Sequence, residues 1–143
     1  MDRYELTVVS EFAAAHKLRG YEGDCEKLHG HNWKVEASVV ADTLNTVGLA
    51  VDFKDLRQWL NEIVEGLDHC YLNELEPFHD ENPSSENLAR FIFRELHKRV
   101  TRFAGESGGR GIAVRKITVW ESERAAASYY EGEEEYGKSG RQT

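Results

Sequence analysis

Apolar and polar residues alternate along the first stretch of the chain. Tyr4, Leu6, Val8, Phe12 and Ala14 share one side, and Glu5, Thr7 and Glu11 the other. A period of two is that of a half-buried β-strand, and His16 ends its apolar side. Residues 17–24, with Gly20 and Gly23, predict a loop. Alternation then resumes more cleanly. Trp33, Val35, Ala37, Val39 and Ala41 face one way, Asn32, Lys34, Glu36, Ser38 and Asp42 the other, and His29 and His31 extend the apolar side backwards.

After a connection over residues 42–49 the period changes. Asp52 is a candidate N-cap, and Phe53, Leu56, Leu60, Ile63 and Leu67 step by three and four, an amphipathic helix ending near Gly66. A polar loop over residues 76–82 follows. Ser84 or Ser85 can cap a second helix, whose apolar side is Leu88, Phe91, Ile92, Leu96, Val100 and Phe103. The glycines between Gly105 and Gly111 follow a helix and precede a strand. That is the reverse of the order in a phosphate loop, so they predict a flexible turn. A third strand runs over 114–121, with Ile117, Val119 and Glu121 on one side and Val114, Lys116, Thr118 and Trp120 on the other. Residues 125–131 can return as a fourth. The predicted fold is α+β in the order ββααββ: a four-stranded antiparallel sheet with both helices on one face. One domain over residues 1–131 is followed by an acidic, Gly-rich mobile tail over 132–143.

Composition narrows the function. At 143 residues the chain suits one domain with a real core. Its net charge of −8 and lack of a basic stripe argue against nucleic acid. An anionic small molecule in a local basic pocket stays open. No apolar run approaches the roughly 20 residues of a membrane span. The first residues lack the features of a signal peptide. Two cysteines, Cys25 and Cys70, do not make a disulfide framework, so a reducing cytoplasm is expected.

The stretch Cys25-Glu26-Lys27-Leu28-His29-Gly30-His31 carries the candidate chemistry. On a strand, His29 and His31 point to one face, roughly 7 Å apart at Cα. If the first two strands pair as an antiparallel hairpin, His16 meets them at one rim of the core. Three neutral histidines leave the fourth position of a tetrahedral zinc open, the mark of a catalytic site. The bland reading is three core histidines, each with polar nitrogens that need partners. Cys25 is near enough to be a ligand or a base, and the residues alone do not choose. In Asp68-His69 a carboxylate can orient an imidazole, although helix-end pairs of this kind are common. Glu121 could anchor a ligand's donor groups. On the residues alone, a strand-end glutamate turned to solvent is the better reading. His79 and His97 read as surface.

Several short motifs occur in order: Phe12-Ala13-Ala14-Ala15-His16, the Cys25–His31 segment with Asn32, Val51-Asp52-Phe53, Leu67-Asp68-His69 with Leu72-Asn73, Pro83-Ser84-Ser85-Glu86-Asn87, and Val119-Trp120-Glu121-Ser122. Together they resemble the 6-pyruvoyltetrahydropterin synthase family over about residues 3–131. The spacing from Cys25 to His29 is similar to its 6-carboxytetrahydropterin synthase branch, in queuosine (7-deazaguanine) biosynthesis. The resemblance implies the tunnelling fold and a homohexamer of two trimers whose sheets close into a barrel. It implies a cytoplasmic, zinc-dependent carbon–carbon lyase, with zinc on His16, His29 and His31, Cys25 as general base, Asp68 and His69 as a second acid/base group, and Glu121 on the pterin. The implied substrate is 7,8-dihydroneopterin triphosphate, and the products are 6-carboxytetrahydropterin, acetaldehyde and triphosphate. Lys17 and Lys27 are candidates for the triphosphate. Ala13 stands where the family commonly has serine, and Ser84 or Ser85 and Ser122 where it has threonine. Cys70 is a bystander. The alternatives are 6-pyruvoyltetrahydropterin synthase activity and a non-catalytic zinc-binding module.

Overall fold

The computed structural model describes residues 2–20 and 27–132. Cys25, the expected general base, and nearly all of the expected tail lie outside the described residues. Two long strands come first, β1 (Tyr4–His16) and β2 (His29–Ala41). Helix α1 (Phe53–Glu65), the two-residue β3 (Cys70–Tyr71), two short 3-10 turns, and helix α2 (Ser85–Glu106) follow. The chain ends in the hairpin β4 (Ile112–Ser122) and β5 (Ala125–Tyr129).

The helix signals act as their chemistry dictates. The Asp52 carboxylate accepts from the Lys54 N–H at the start of α1, and Gly66 caps its end. Ser84, rather than Ser85, caps α2 by accepting from the Asn87 N–H. Both helices lay their apolar stripes on one face of the sheet. Leu56, Leu60, Leu88, Ile92 and Leu96 pack there against Val8, Phe12, Trp33, Val35, Ala37 and Ile117 in one continuous core. His79 and His97 are exposed, as expected.

The sheet has five strands, ordered β3-β1-β2-β4-β5. The added strand, β3, runs parallel to β1 and pairs only Cys70 with Ala14 and Tyr71 with Ala15. Two residues cannot show an alternation, so no periodicity announces it. Because β3 is so short, the outer edge of β1 over residues 4–12 has no sheet neighbour among the described residues. β5 forms the opposite edge.

Strand β4 departs from regular pairing twice. Ser38 pairs with Lys116 but Val39 with Val114, so Arg115 is an extra residue. The bulge turns Val114 onto the core face with Ile117, not onto the face of Lys116 as strict alternation predicts. On the other side, Trp120 pairs with Ala126 and Ser122 with Ala125, so the extra residue is Glu121. This irregularity lies on the β5 side, and Glu121 keeps the side that it shares with Ile117 and Val119.

Candidate metal centre

The β1–β2 register pairs His16 directly with His29, with His31 two residues further along the same face. The expected convergence at the rim of the core therefore forms. Ring centroids lie 4.5 Å apart for His16 and His29, 4.7 Å for His29 and His31, and 5.3 Å for His16 and His31. Trp33 forms the floor. Its buried ring meets His16 edge-on at 4.9 Å and His31 at 5.2 Å, and its N–H donates to the Ala14 carbonyl at 3.2 Å. Trp33 follows His31 by one alternation of β2, a signal the pattern held but that suggested only core.

Glu121 joins the three rings instead of facing solvent. Its Oε1 lies 3.0 Å from His31 Nε2, 3.4 Å from His16 Nε2 and 3.9 Å from His29 Nε2. Alternation places Glu121 on the side of Ile117 and Val119; which residues it meets there follows from the pairing of β2 with β4, Val35 opposite Val119.

The tautomers reveal what this group is fit to hold. His16 Nδ1 lies 2.7 Å from the Pro83 carbonyl, and His29 Nδ1 lies 2.7 Å from the Lys27 carbonyl. A carbonyl oxygen only accepts, so both Nδ1 atoms carry the proton. In the neutral ring, Nε2 is then a bare lone pair. Those two Nε2 atoms face each other at 3.0 Å. His31 Nε2 is buried and has no hydrogen-bond partner among the described residues, despite the nearby carboxylate oxygen. Burial pushes His16 and His31 below the ordinary imidazole range, which favours neutral rings. Lone pairs crowded in this way repel one another unless a cation lies among them.

The spacing fits such a cation. Around a tetrahedral ion with bonds of about 2.0–2.1 Å, ligand atoms stand about 3.3 Å apart. The four ligand atoms of His16, His29, His31 and Glu121 all lie within 4.8 Å of one another. These residues could hold a metal ion, with three imidazole nitrogens to bind it and the Glu121 carboxylate beside it.

Asp68 and His69 lie elsewhere, at the outer edge of β1. Asp68 Oδ1 accepts the Ala13 N–H at 2.8 Å, and the His69 N–H donates to the Ala13 carbonyl at 2.6 Å. The His69 Nδ1 is 2.9 Å from Asp68 Oδ2, and its side chain is 82% exposed. Its φ of 57° makes it the one non-glycine residue with positive φ among those described. No hydrogen bond, ion pair or ring contact joins the dyad to the histidine cluster among the described residues. Cys70, beside it, places Sγ 3.3 Å from the Asp68 carbonyl. Lys17 and Lys27 are both exposed, and the side chain of neither is tied to the cluster. A cleft of about 730 Å³, lined by Glu11, Lys34, Trp120 and Glu121 among others, opens beside the cluster.

The Ala13 N–H, and secondarily His69, hold the Asp68 carboxyl below its ordinary value. A depressed carboxyl pKa stabilises the fold above the unfolded value of about 4, and the contribution is lost as pH falls through the folded value. Asp68→Asn keeps an oxygen for Ala13 but cannot titrate. Its melting temperature should therefore lie below that of the wild type at pH 7. Below about pH 4 the gap should narrow and then close. Melting curves of both proteins from pH 7 to 2.5 measure this, and a constant gap would contradict it.

Comparison with known proteins agrees with this geometry. The chain matches the family model of 6-pyruvoyl tetrahydropterin synthase over residues 5–132. It is 36% identical over 124 residues to a Synechocystis protein named 6-carboxy-5,6,7,8-tetrahydropterin synthase, covering 83% of this chain and 87% of that one. An Aquifex aeolicus protein of the same name is 26% identical over 163 residues, covering 90% and 99%. Among solved structures, the Caenorhabditis elegans 6-pyruvoyl tetrahydropterin synthase superposes with a TM-score of 0.79 at 22% identity, covering 92% of this chain and 98% of that one. That likeness shows a shared fold, the tunnelling fold expected from the motifs. With a family match that spans nearly the whole described chain, this protein belongs to the 6-pyruvoyl tetrahydropterin synthase family.

Proposed function

We propose that this protein is a zinc-dependent 6-carboxy-5,6,7,8-tetrahydropterin synthase. It converts 7,8-dihydroneopterin triphosphate and water to 6-carboxytetrahydropterin, acetaldehyde and triphosphate, a step in queuosine biosynthesis. The observation that carries this reading is the convergence of His16, His29, His31 and Glu121 in a chain whose relatives bear that name. Zinc suits the three imidazole nitrogens of His16, His29 and His31, and when bound with its fourth position open it would polarise the side-chain hydroxyls of the substrate.

The protein's own groups do the rest. Cys25 takes a proton from carbon as general base. His69, oriented by Asp68, moves protons on the other side of the reacting atoms. Glu121 accepts N–H donors of the pterin with its carboxylate, and Lys17 and Lys27 attract the triphosphate. Residues 1–131 form the catalytic unit, with 132–143 outside it, and the enzyme acts in the cytoplasm. No helix of the described residues is long and apolar enough to cross a membrane.

A homohexamer of two trimers accounts for two features of the monomer. The open edges at β1 and β5 are templates for pairing with another copy. The exposed Asp68–His69 dyad, which no hydrogen bond or ion pair ties to its own chain's histidines among the described residues, is then available to the metal centre of a neighbouring copy. Such a site is complete only in the assembly.

Mass spectrometry of the zinc-loaded protein incubated with 7,8-dihydroneopterin triphosphate tests the reading. 6-Carboxytetrahydropterin and acetaldehyde are the expected products. Cys25→Ala should keep zinc and oligomer but lose turnover. A 6-pyruvoyl product would assign the protein to the activity named in its family model. No consumption with zinc bound would leave a zinc-binding module. Loss of zinc from Cys25→Ala would make Cys25 a ligand.

A further inference from the structure

We propose that Asn73, Asn82 and Arg19 form a polar latch that positions the metal ligand His16. The latch rests on the metal-site reading above and extends it to residues that touch neither metal nor substrate.

Strand β1 ends at His16, yet the chain beyond it keeps its partners. The Lys17 N–H donates to Asn73 Oδ1 at 3.0 Å, and Asn73 Nδ2 donates back to the Lys17 carbonyl at 2.9 Å. Two residues on, the Arg19 N–H donates to Asn82 Oδ1 at 2.8 Å, and Asn82 Nδ2 donates to the Arg19 carbonyl at 3.0 Å. A side-chain amide carries the same donor and acceptor as a peptide group. Each asparagine thus stands in for one residue of a neighbouring strand. The spacing of two, Lys17 then Arg19, is the period of a ladder. The Arg19 guanidinium completes the latch, donating to the Phe78 carbonyl at 2.9 Å and the Asn73 carbonyl at 3.2 Å.

Both ends of the latch meet at His16. On one side it holds Lys17, which follows the ligand directly. On the other it holds Asn82, which precedes Pro83, the residue whose carbonyl accepts the hydrogen bond from His16 Nδ1–H at 2.7 Å. Asn82 is itself held from α2, where Asn87 Nδ2 donates to its carbonyl at 2.8 Å. The tautomer and direction of His16, a side chain only 2% exposed, are therefore set by a chain of bonds from the start of α2 to the end of β1. Groups that orient a metal-bound histidine typically change metal affinity 10–100-fold when removed. These are positioning residues, so the readout must be the metal.

Zinc affinity measured by competition with a chromophoric chelator, and the visible spectrum of the cobalt-substituted protein, test the latch. Asn82→Ala should bind zinc about 10–100-fold more weakly and alter the cobalt bands. Arg19→Ala keeps both backbone bonds to Asn82 and should weaken zinc by only a few-fold. Asn82→Asp keeps the acceptor for the Arg19 N–H and should fall between the wild type and Asn82→Ala. It also serves as the second variant should Asn82→Ala not fold. As a control, Asn45→Ala removes an asparagine turn between β2 and α1 and should leave both readouts unchanged. Lower melting temperatures with zinc affinity within twofold of the wild type and an unchanged cobalt spectrum would overturn the latch as a positioning device. If the wild type bound no metal at all, the metal-site reading would fail and the latch with it.

Discussion

Replacing His31 by alanine is expected to lower metal affinity by two to three orders of magnitude and turnover by at least as much, while the metal-free fold keeps its stability. The ligand loss sets the first part. Binding of a four-ligand zinc contributes about 10–16 kcal/mol in small sites, so one ligand is worth roughly 3–4 kcal/mol. The second part follows from what His31 lacks. Its Nε2 is buried without a hydrogen-bond partner among the described residues, and the Glu121 carboxylate lies 3.0 Å away. In the metal-free protein that nitrogen adds nothing a methyl group would forfeit. Stability should therefore stay within about 1 kcal/mol of the wild type. Melting curves with and without zinc separate the two effects. Zinc should raise the wild-type melting temperature, because a ligand that binds only the folded state stabilises it. His31→Ala should show almost none of that rise. A variant that still melts higher with zinc would place the metal elsewhere.

The second large effect belongs to His69. His69→Gly should reduce turnover by about 10²–10⁴, the range for loss of a general acid/base, without destabilising the fold. A left-handed backbone at a non-glycine residue costs on the order of 1 kcal/mol or more, and His69 sits there with φ 57°. Glycine removes that cost but adds freedom to the unfolded chain, about 0.4–1 kcal/mol in the other direction. The two nearly cancel, so urea unfolding should change little. An exposed imidazole in a left-handed backbone, paired with the Asp68 carboxylate, suits the acid/base role proposed for it.

The same variant tests whether the dyad serves a neighbouring copy. His31→Ala and His69→Gly each lack one half of the site. If one copy's dyad completes another copy's metal centre, oligomers assembled from an equal mixture regain about a quarter of wild-type activity, because one pairing in four joins two intact halves. If each site is built within one chain, every chain in the mixture carries a defect, and activity stays at the level of the separate variants.

Much of this was legible in the chain. Period-two and period-3.6 patterns placed both long strands and both helices, because burial of one face forces the spacing of apolar residues. Asp52 and Gly66 marked the ends of α1 for the same local reasons that make them caps. The three histidines were legible too: each lies on the apolar register of its strand, and one antiparallel pairing brings His16 opposite His29. Other features depended on contacts distant in sequence. Strand β3 exists only because Cys70 and Tyr71 find the edge of β1. Val114 turns inward at a bulge set by how β4 pairs with β2, and the same pairing brings Glu121 beside the histidines. Pro83 and Lys27 fix the histidine tautomers through backbone carbonyls, which every residue possesses and no motif can mark. The sequence by itself determined which elements form and which side chains could bind a metal, since those depend on local periodicity and residue chemistry. Only the tertiary structure decided that Glu121 meets the three histidines and that Asp68 and His69 bind the Ala13 backbone, because those contacts follow from strand register and long-range pairing.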